Sequence, residues 1–320
     1  MGFDQVLSSA LDALTMSPTA NNYNNNNRRA FALNYAKAAR WSSTAAAYCF
    51  MGLAILMALA MIRNLIYTAK SRHTKIVYSV LLAWCVIRTA GFALRGYILT
   101  DDHGQDLTLF KWVAILGGVG FMPLAQVLAL CTLEGSALAF GSTPKARKPF
   151  DRLIRLLFVV SAVTLAAFVI DFTCNKPLGS NVKDYTVDLV LREIGFNGLI
   201  LIALYTLLGS IRNIFAVVKQ GKVPAVFVPR FRMMMVVVGF QSVLMLIKLV
   251  FTTYRNWNPF ELRDEWIWYL LSIGPEFLLV LCYMHHGFLK VYDDIERSKL
   301  GSEELADQPK PQELEGFLTT

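Results

Sequence analysis

Seven apolar runs bounded by charge divide residues 44–288 of this chain, and each is close to the roughly 20 residues that a helix needs to cross a bilayer. They cover 44–66, 75–98, 110–134, 153–173, 188–212, 232–254 and 265–288. In hydrocarbon every backbone N–H and C=O must find its partner within the protein. Runs of this length therefore fold as helices, or not at all. Over 320 residues the chain is 55% hydrophobic and 17% charged, with a mean hydropathy of +0.45. A soluble domain runs nearer 25% charged and could not hide so much apolar side chain without exposing large patches. The expectation is an all-α polytopic membrane protein, a bundle of seven transmembrane helices.

Orientation follows from the Lys and Arg of the short connections. Arg63, Lys70, Arg72 and Lys75 follow the first run. Lys145, Arg147, Lys148, Arg152 and Arg155 follow the third, and Arg212, Lys219, Lys222, Arg230 and Arg232 follow the fifth. The alternate connections are acidic or mixed. The rule places the three basic connections, and with them the carboxy terminus, in the cytoplasm and the amino terminus outside. Arg28, Arg29, Lys37 and Arg40 on the amino-terminal tail oppose this, and the three loops outweigh them. The net charge of +8 is thus read mostly as a membrane collar and not as a nucleic-acid patch.

Two tails flank the membrane domain. Residues 1–43 carry a short amphipathic pattern, Phe3, Val6, Leu7, Ala10, Leu11 and Leu14, then an Asn-rich linker over Asn21–Asn27. They lack the basic start and apolar core of a signal peptide. Residues 289–320 are rich in Glu and Asp and are expected to be a solvated, disordered tail. The domain reading is therefore 1–43, 44–288 and 289–320.

Ionisable residues inside apolar runs are costly and mark functional positions. At about 1.5 Å per residue, Arg88 and Glu276 lie near mid-membrane. Arg95, Glu193 and Lys248 lie in the outer third, and Asp171 at the outer rim. Two readings are open. Arg88 pairs with Glu276, and Lys248 with Glu193 or Asp171, to fix helix register; or the set lines an outward cavity in which a neutral carboxylic acid donates a proton. Gly117, Gly118, Gly120 and Pro123 predict a kink in the third run, and Pro275 a second one beside Glu276. The same glycines would also serve close helix packing.

Five of the six tryptophans, Trp41, Trp112, Trp257, Trp266 and Trp268, fall at the outer interface as an aromatic belt, and only Trp84 is deep. Trp266, Trp268 and Tyr269 beside Glu265 are alternatively a cap that offers ring faces to a cation. Asp101, Asp102 and Asp106 in TDDHGQD approximate an aspartate-rich diphosphate box but are spaced one residue too long, so a solvated turn is expected. The five cysteines form no CxxC pair and the four histidines no HxxxH. No metal and no cofactor is therefore expected.

Three runs carry a resemblance: WCVIRTAGFALRGYILTDD over Trp84–Asp102, GFMPLAQVLALCTLEGSAL over Gly120–Leu138, and DEWIWYLLSIGPEFLLVLCYMHHG over Asp264–Gly287. They resemble fungal seven-span membrane proteins, a set that includes receptor-like and lipid-translocating proteins. Within it the chain looks like the membrane-bound terpene cyclases of meroterpenoid secondary metabolism, of the ascofuranone and macrophorin type. An Arg-to-Glu pairing typical of the lipid-translocating members is only partly met, since Arg255 is followed by Asn-Trp-Asn. The cyclase resemblance implies protonation of an olefin or epoxide on a farnesylated aromatic, an isomerase or lyase reaction in the endoplasmic reticulum or another endomembrane. Its partners would be the lipophilic prenylated substrate, the bilayer and pathway enzymes in the same membrane. Depth, and not the family, nominates Glu276 or Glu193 as the acid, with Asp171 weaker, and Arg88 and Lys248 orienting it. The alternative is a receptor-like or lipid-translocating protein, with Arg95 and Arg255 as cations at head-group depth.

Overall fold

Local signals set the ends of the first helices. The structure is a computed structural model, and it describes residues 36, 41–100, 103–104, 106, 107–141, 144–170, 182–257, 264–285 and 287–306. Helix α1 is Thr44–Tyr67, and its cap residue Ser43 accepts the Ala46 N–H on its side chain. Helix α2 is Arg72–Ile98, with Ser71 accepting from Thr74 in the same way. Helix α3, Leu107–Val119, starts where Asp106 accepts the Thr108 and Leu109 N–H groups. The Asp106 carboxylate is thus a helix cap. Asp101 and Asp102 of the same string lie outside the described residues.

The third apolar run is broken as its Gly and Pro content predicts. α3 stops at Val119, and α4, Met122–Phe140, begins with Pro123 at a position where a missing N–H costs nothing. α4 ends on Gly141 at φ +56, a left-handed conformation that glycine adopts without strain. Helices α5 (Pro144–Ile170), α6 (Val182–Gln220) and α7 (Val228–Trp257) follow. The last apolar run is also interrupted: α8, Glu265–Trp268, passes through a π turn, Tyr269–Ile273, into α9, Gly274–Met284. No strand occurs among the described residues.

Helix directions can be read from side-chain contacts. Phe121 of α4 stacks on Phe196 of α6, and further along Thr132 accepts from Asn213, so α4 and α6 run parallel. The chain must therefore return between them. α5 makes that return, because its Ser161 sits against Gly198 and its Leu165 against Gly195, an antiparallel order. α1 and α9 are parallel, tied at one end by Ser42 to Glu265 and at the other by Asn64 to Tyr283. We call these the tryptophan end and the basic end. The outward faces are apolar, with Leu56, Leu59, Ile66, Leu208, Phe215 and Leu270 all more than half exposed. Polar side chains point inward instead, the reverse of a soluble bundle. Six helices are long and apolar enough to cross a membrane among the described residues, which marks a helical multi-pass membrane protein.

The carboxy-terminal tail differs from the sequence expectation. Lys290–Ala306 forms helix α10, and it is not solvated coil at its start: Val291, Tyr292, Asp293 and Ile295 are buried. Asp293 accepts the Lys70 and Ser71 N–H groups ahead of α2, and the Tyr292 hydroxyl donates to the Cys131 carbonyl. Tail composition alone cannot reveal this, because four buried side chains and one cap suffice to dock a polar helix. The amphipathic pattern of Phe3–Leu14, the Asn-rich linker and residues 307–320 lie outside the described residues.

Candidate functional site

Both helix interruptions meet a cluster of three charges. Arg88 of α2 donates from Nε to Glu276 Oε2 and from Nη2 to Glu276 Oε1, each at 2.6 Å, the bidentate fork that guanidinium geometry favours. Lys248 Nζ of α7 lies 2.5 Å from Glu276 Oε1. Trp84 Nε1 completes the set at 3.0 Å from Oε2. All four side chains are buried, with Arg88, Lys248 and Glu276 at 2%, 2% and 1% exposure.

The cations also serve the broken backbone. Arg88 Nη1 donates to the Leu116 and Gly117 carbonyls, the last turn of α3, at 2.9 and 3.2 Å. Lys248 Nζ donates to Ser272 Oγ and to the Ser272 carbonyl, inside the π turn. A helix that stops inside a membrane leaves carbonyls without water to satisfy them, and its end carries partial negative charge. Positive side chains are the fitting donors. Glu276 in turn sits next to Pro275, where the π turn passes into α9. Gly120 keeps the approach open, since a Cβ there would stand 3.0 Å from the Arg88 guanidinium carbon.

A packed column of rings joins this cluster to the tryptophan end. Trp84 meets Phe277 at 5.3 Å, Phe277 meets Phe50 at 5.2 Å, Phe50 stacks on Tyr269 at 4.9 Å, and Tyr269 meets Trp268 at 5.0 Å. There the Arg95 guanidinium lies between Trp41 and Trp268, 4.4 Å from each ring centre, and pairs with Glu265 at 2.7 Å. The other Glu265 oxygen accepts the Ser42 and Ser43 N–H groups and the Ser42 hydroxyl.

The nominated residues thus fall into two groups. Arg88, Lys248 and Glu276 form one, and Arg95, Trp268 and Tyr269 the other. Arg88 pairs with Glu276 as expected. Lys248, which the sequence reading paired with Glu193 or Asp171, shares the Glu276 carboxylate. Glu193 is half-buried on α6, one turn before Phe196, and joins neither group. Asp171 lies outside the described residues. Trp266 faces outward at 75% exposure and caps nothing, and Trp112 is likewise exposed, as an interfacial belt requires. The Trp257 side chain lies outside the described residues.

Chemically, Glu276 is saturated. Each oxygen accepts two N–H donors, and two of the donor groups are cations, so a proton on either oxygen would displace a donor. This is the ion-pair arrangement of the two that the sequence leaves open, with Lys248 as a second cation on the same carboxylate. Among the described residues no group of three His, Cys, Asp or Glu side chains could hold a metal ion.

A second polar network was missed from the sequence. Toward the basic end, Asn64 donates to the Tyr283 and Met284 carbonyls, and Gln241 donates to Leu279 and accepts from the Tyr283 hydroxyl. Asn213 donates to the Thr132 carbonyl, and Thr206 bonds Ser242. Neutral amides and hydroxyls inside apolar runs barely lower hydropathy, and a search for charges passes over them. Comparison with protein-family models, curated proteins and solved structures finds no match for this chain.

Proposed function

We propose that this chain is a seven-span lipid-translocating membrane protein, with its amino terminus outside and its carboxy terminus in the cytoplasm. Seven crossings are supported by the parallel run of α4 and α6, which requires α5 to return through the bundle between them. The basic connections at the Asn64 end support the orientation.

The observation that carries the function is the pair of interrupted helices held by one buried ion cluster. Breaks of this kind in mid-membrane are where transporters place their moving parts and their polar sites. The Arg88–Glu276–Lys248 lock ties α2, α3, α7 and α9 together, so opening it frees four elements at once. Arg95 and Arg255 near the tryptophan end are cations at head-group depth.

The test is reconstitution of the full chain into phosphatidylcholine vesicles carrying a head-group-labelled fluorescent lipid. Dithionite then reports the fraction of label that has exchanged leaflets. Exchange at least tenfold faster than in protein-free vesicles is the expected result. A rate equal to the protein-free rate overturns the proposal.

The ring column supports a second reading, the acid-initiated terpene cyclase, since aromatic faces shield and stabilise carbocations. Glu193 or Asp171 would then be the acid, in the endoplasmic reticulum or another endomembrane. Cyclised product from a farnesylated phenol or its terminal epoxide, lost on Glu193→Gln with Asp171→Asn, establishes that reading in place of the first.

A further inference from the structure

Among the described residues of the tryptophan end, two buried donors make no hydrogen bond and one arginine has no ion pair. Arg95 is 4% exposed, yet its Nε has no hydrogen-bond partner. Tyr269, also 4% exposed, lies with its ring 5.4 Å from the Arg95 guanidinium, and its hydroxyl faces Arg95 and Glu265 without a close hydrogen bond to either. Arg255 lies two turns beyond Lys248 on α7, as Arg95 lies two turns beyond Arg88 on α2, and it is half-buried and makes no hydrogen bond or ion pair among the described residues.

The acids nearby do not settle the balance. Glu265 gives one oxygen to Arg95 and the other to the start of α1. Asp106 caps α3, and Asp264 is exposed and makes no ion pair among the described residues. Among the described residues, the one carboxylate oxygen facing this charge is Glu265 Oε1, and it pairs with Arg95 alone. A buried donor left without an acceptor costs about 1–3 kcal/mol, so two such donors near an arginine with no ion pair mark a place for an acceptor that the described residues do not supply.

We infer that Arg95, Arg255 and the Tyr269 hydroxyl form a binding site for the phosphate group of an anionic amphiphile. Arg95 and Arg255 supply charge, and Tyr269 and Arg95 Nε supply directed hydrogen bonds. Guanidinium groups suit phosphate because they present several N–H groups in one plane. The Trp41 and Trp268 rings that hold Arg95 fix its plane before any ligand arrives. Tyr254 and Leu270 on the neighbouring outward faces are exposed and offer an apolar track for an acyl tail. This inference rests on the lipid-translocating reading and names its substrate class.

Bromine quenches indole fluorescence at contact, and Trp41 and Trp268 are in the site, so brominated lipids give the test. The full chain in phosphatidylcholine nanodiscs is titrated with brominated phosphatidylglycerol or with brominated phosphatidylcholine. Quenching by phosphatidylglycerol is expected to saturate at a mole fraction at least fivefold lower than by phosphatidylcholine. Arg255→Gln, which breaks no internal contact among the described residues, is expected to raise that midpoint about fivefold, as about 1 kcal/mol per surface cation requires. Arg95→Lys keeps the charge and the Glu265 pair but loses the planar fork, and is expected to raise it as well. Arg232→Gln, exposed at the opposite end, leaves it unchanged.

Millimolar inorganic phosphate that reverses the quenching identifies free phosphate as the source of the same chemistry, and failure to compete identifies the lipid head group. Equal quenching by the two lipids, or a midpoint unmoved by Arg255→Gln, overturns the inference. Selective quenching without leaflet exchange would instead keep the site and remove the translocating reading.

Discussion

Two polar regions are buried in the same bundle, one charged and one neutral, and they do different work. Around the helix interruptions the groups are Arg88, Lys248 and Glu276, and the cations also donate to carbonyls of α3 and to the carbonyl and hydroxyl of Ser272 in the π turn. Toward the basic end the groups are Asn64, Asn213, Gln241 and Tyr283, and they join helices that run unbroken through that level or end there. Charge is spent where backbone is broken far from water. Neutral hydrogen bonds suffice where each helix already satisfies itself. The difference matters for cost, because a buried ion that loses its partner is left with a larger desolvation penalty than a neutral amide that loses its own.

The sharpest way to break this comparison is Glu276→Gln. It leaves Arg88 and Lys248 facing each other in a dry core, and the cost is expected to be about 3–5 kcal/mol. Thermal unfolding of the detergent-solubilised chain measures it. Adding Lys248→Met should recover part of the loss by restoring one charge to one acceptor set. A Glu276→Gln variant as stable as the parent would show that the cluster is not ionised as drawn.

Gly120→Ala tests whether the charges exist for the break. The new Cβ would stand 2.6 Å from the Leu116 carbonyl oxygen and 3.0 Å from Arg88, so the last turn of α3 or the guanidinium must move. Overpacking of this kind costs about 1–3 kcal/mol. Stability should fall less than for Glu276→Gln, and leaflet exchange should change with it, since the same carbonyls anchor the lock.

How far the sequence reached follows the same division. Charges inside apolar runs stand out because each is rare and costly, so Arg88, Lys248 and Glu276 were legible one by one, as was the Arg88–Glu276 pair. The breaks were legible from Gly120, Pro123 and Pro275, residues with a direct backbone effect. The sharing of Glu276 by both cations was not, because depth along a helix does not say which face points where. Tyr269 was nominated as a possible cap, but its place against Arg95 depends on the π turn, which shifts the register by a residue and leaves no mark in composition. The neutral network was invisible for a simpler reason: Gln241 or Asn213 in an apolar helix reads as one tolerable exception among many residues.

Gln241→Leu is the matching break in the neutral region. It removes the amide that accepts from the Tyr283 hydroxyl and donates to the Leu279 carbonyl. Interhelical hydrogen bonds in membranes average about 0.6 kcal/mol and reach about 1.7. Leu279 keeps its place in α9 and Tyr283 keeps a contact with Cys131 Sγ at 3.8 Å, so the loss should fall within that range. The ratio of this loss to that of Glu276→Gln, taken on the same unfolding curves, sets the comparison on a scale; a ratio near one would mean that the two regions stabilise the bundle in the same way.

The smallest effect belongs to a third contact, outside the membrane and ionic on one side only. Asp293 caps the start of α2 from α10, accepting from Lys70 N, Ser71 N and the Thr74 hydroxyl. Asp293→Ala removes an acceptor from backbone groups that water can still reach, so the loss is that of a helix cap, about 1 kcal/mol or less. Global unfolding should hardly register it. The docking of α10 should, because Tyr292 and Ile295 are then left to hold the helix, and limited proteolysis after Lys290 or Arg297 reports its release. Faster cleavage at unchanged melting temperature is the expected outcome. Unchanged cleavage would mean that the apolar contacts dock the helix without Asp293, and that a carboxylate at the membrane edge, where water competes, contributes little beside one at the helix breaks.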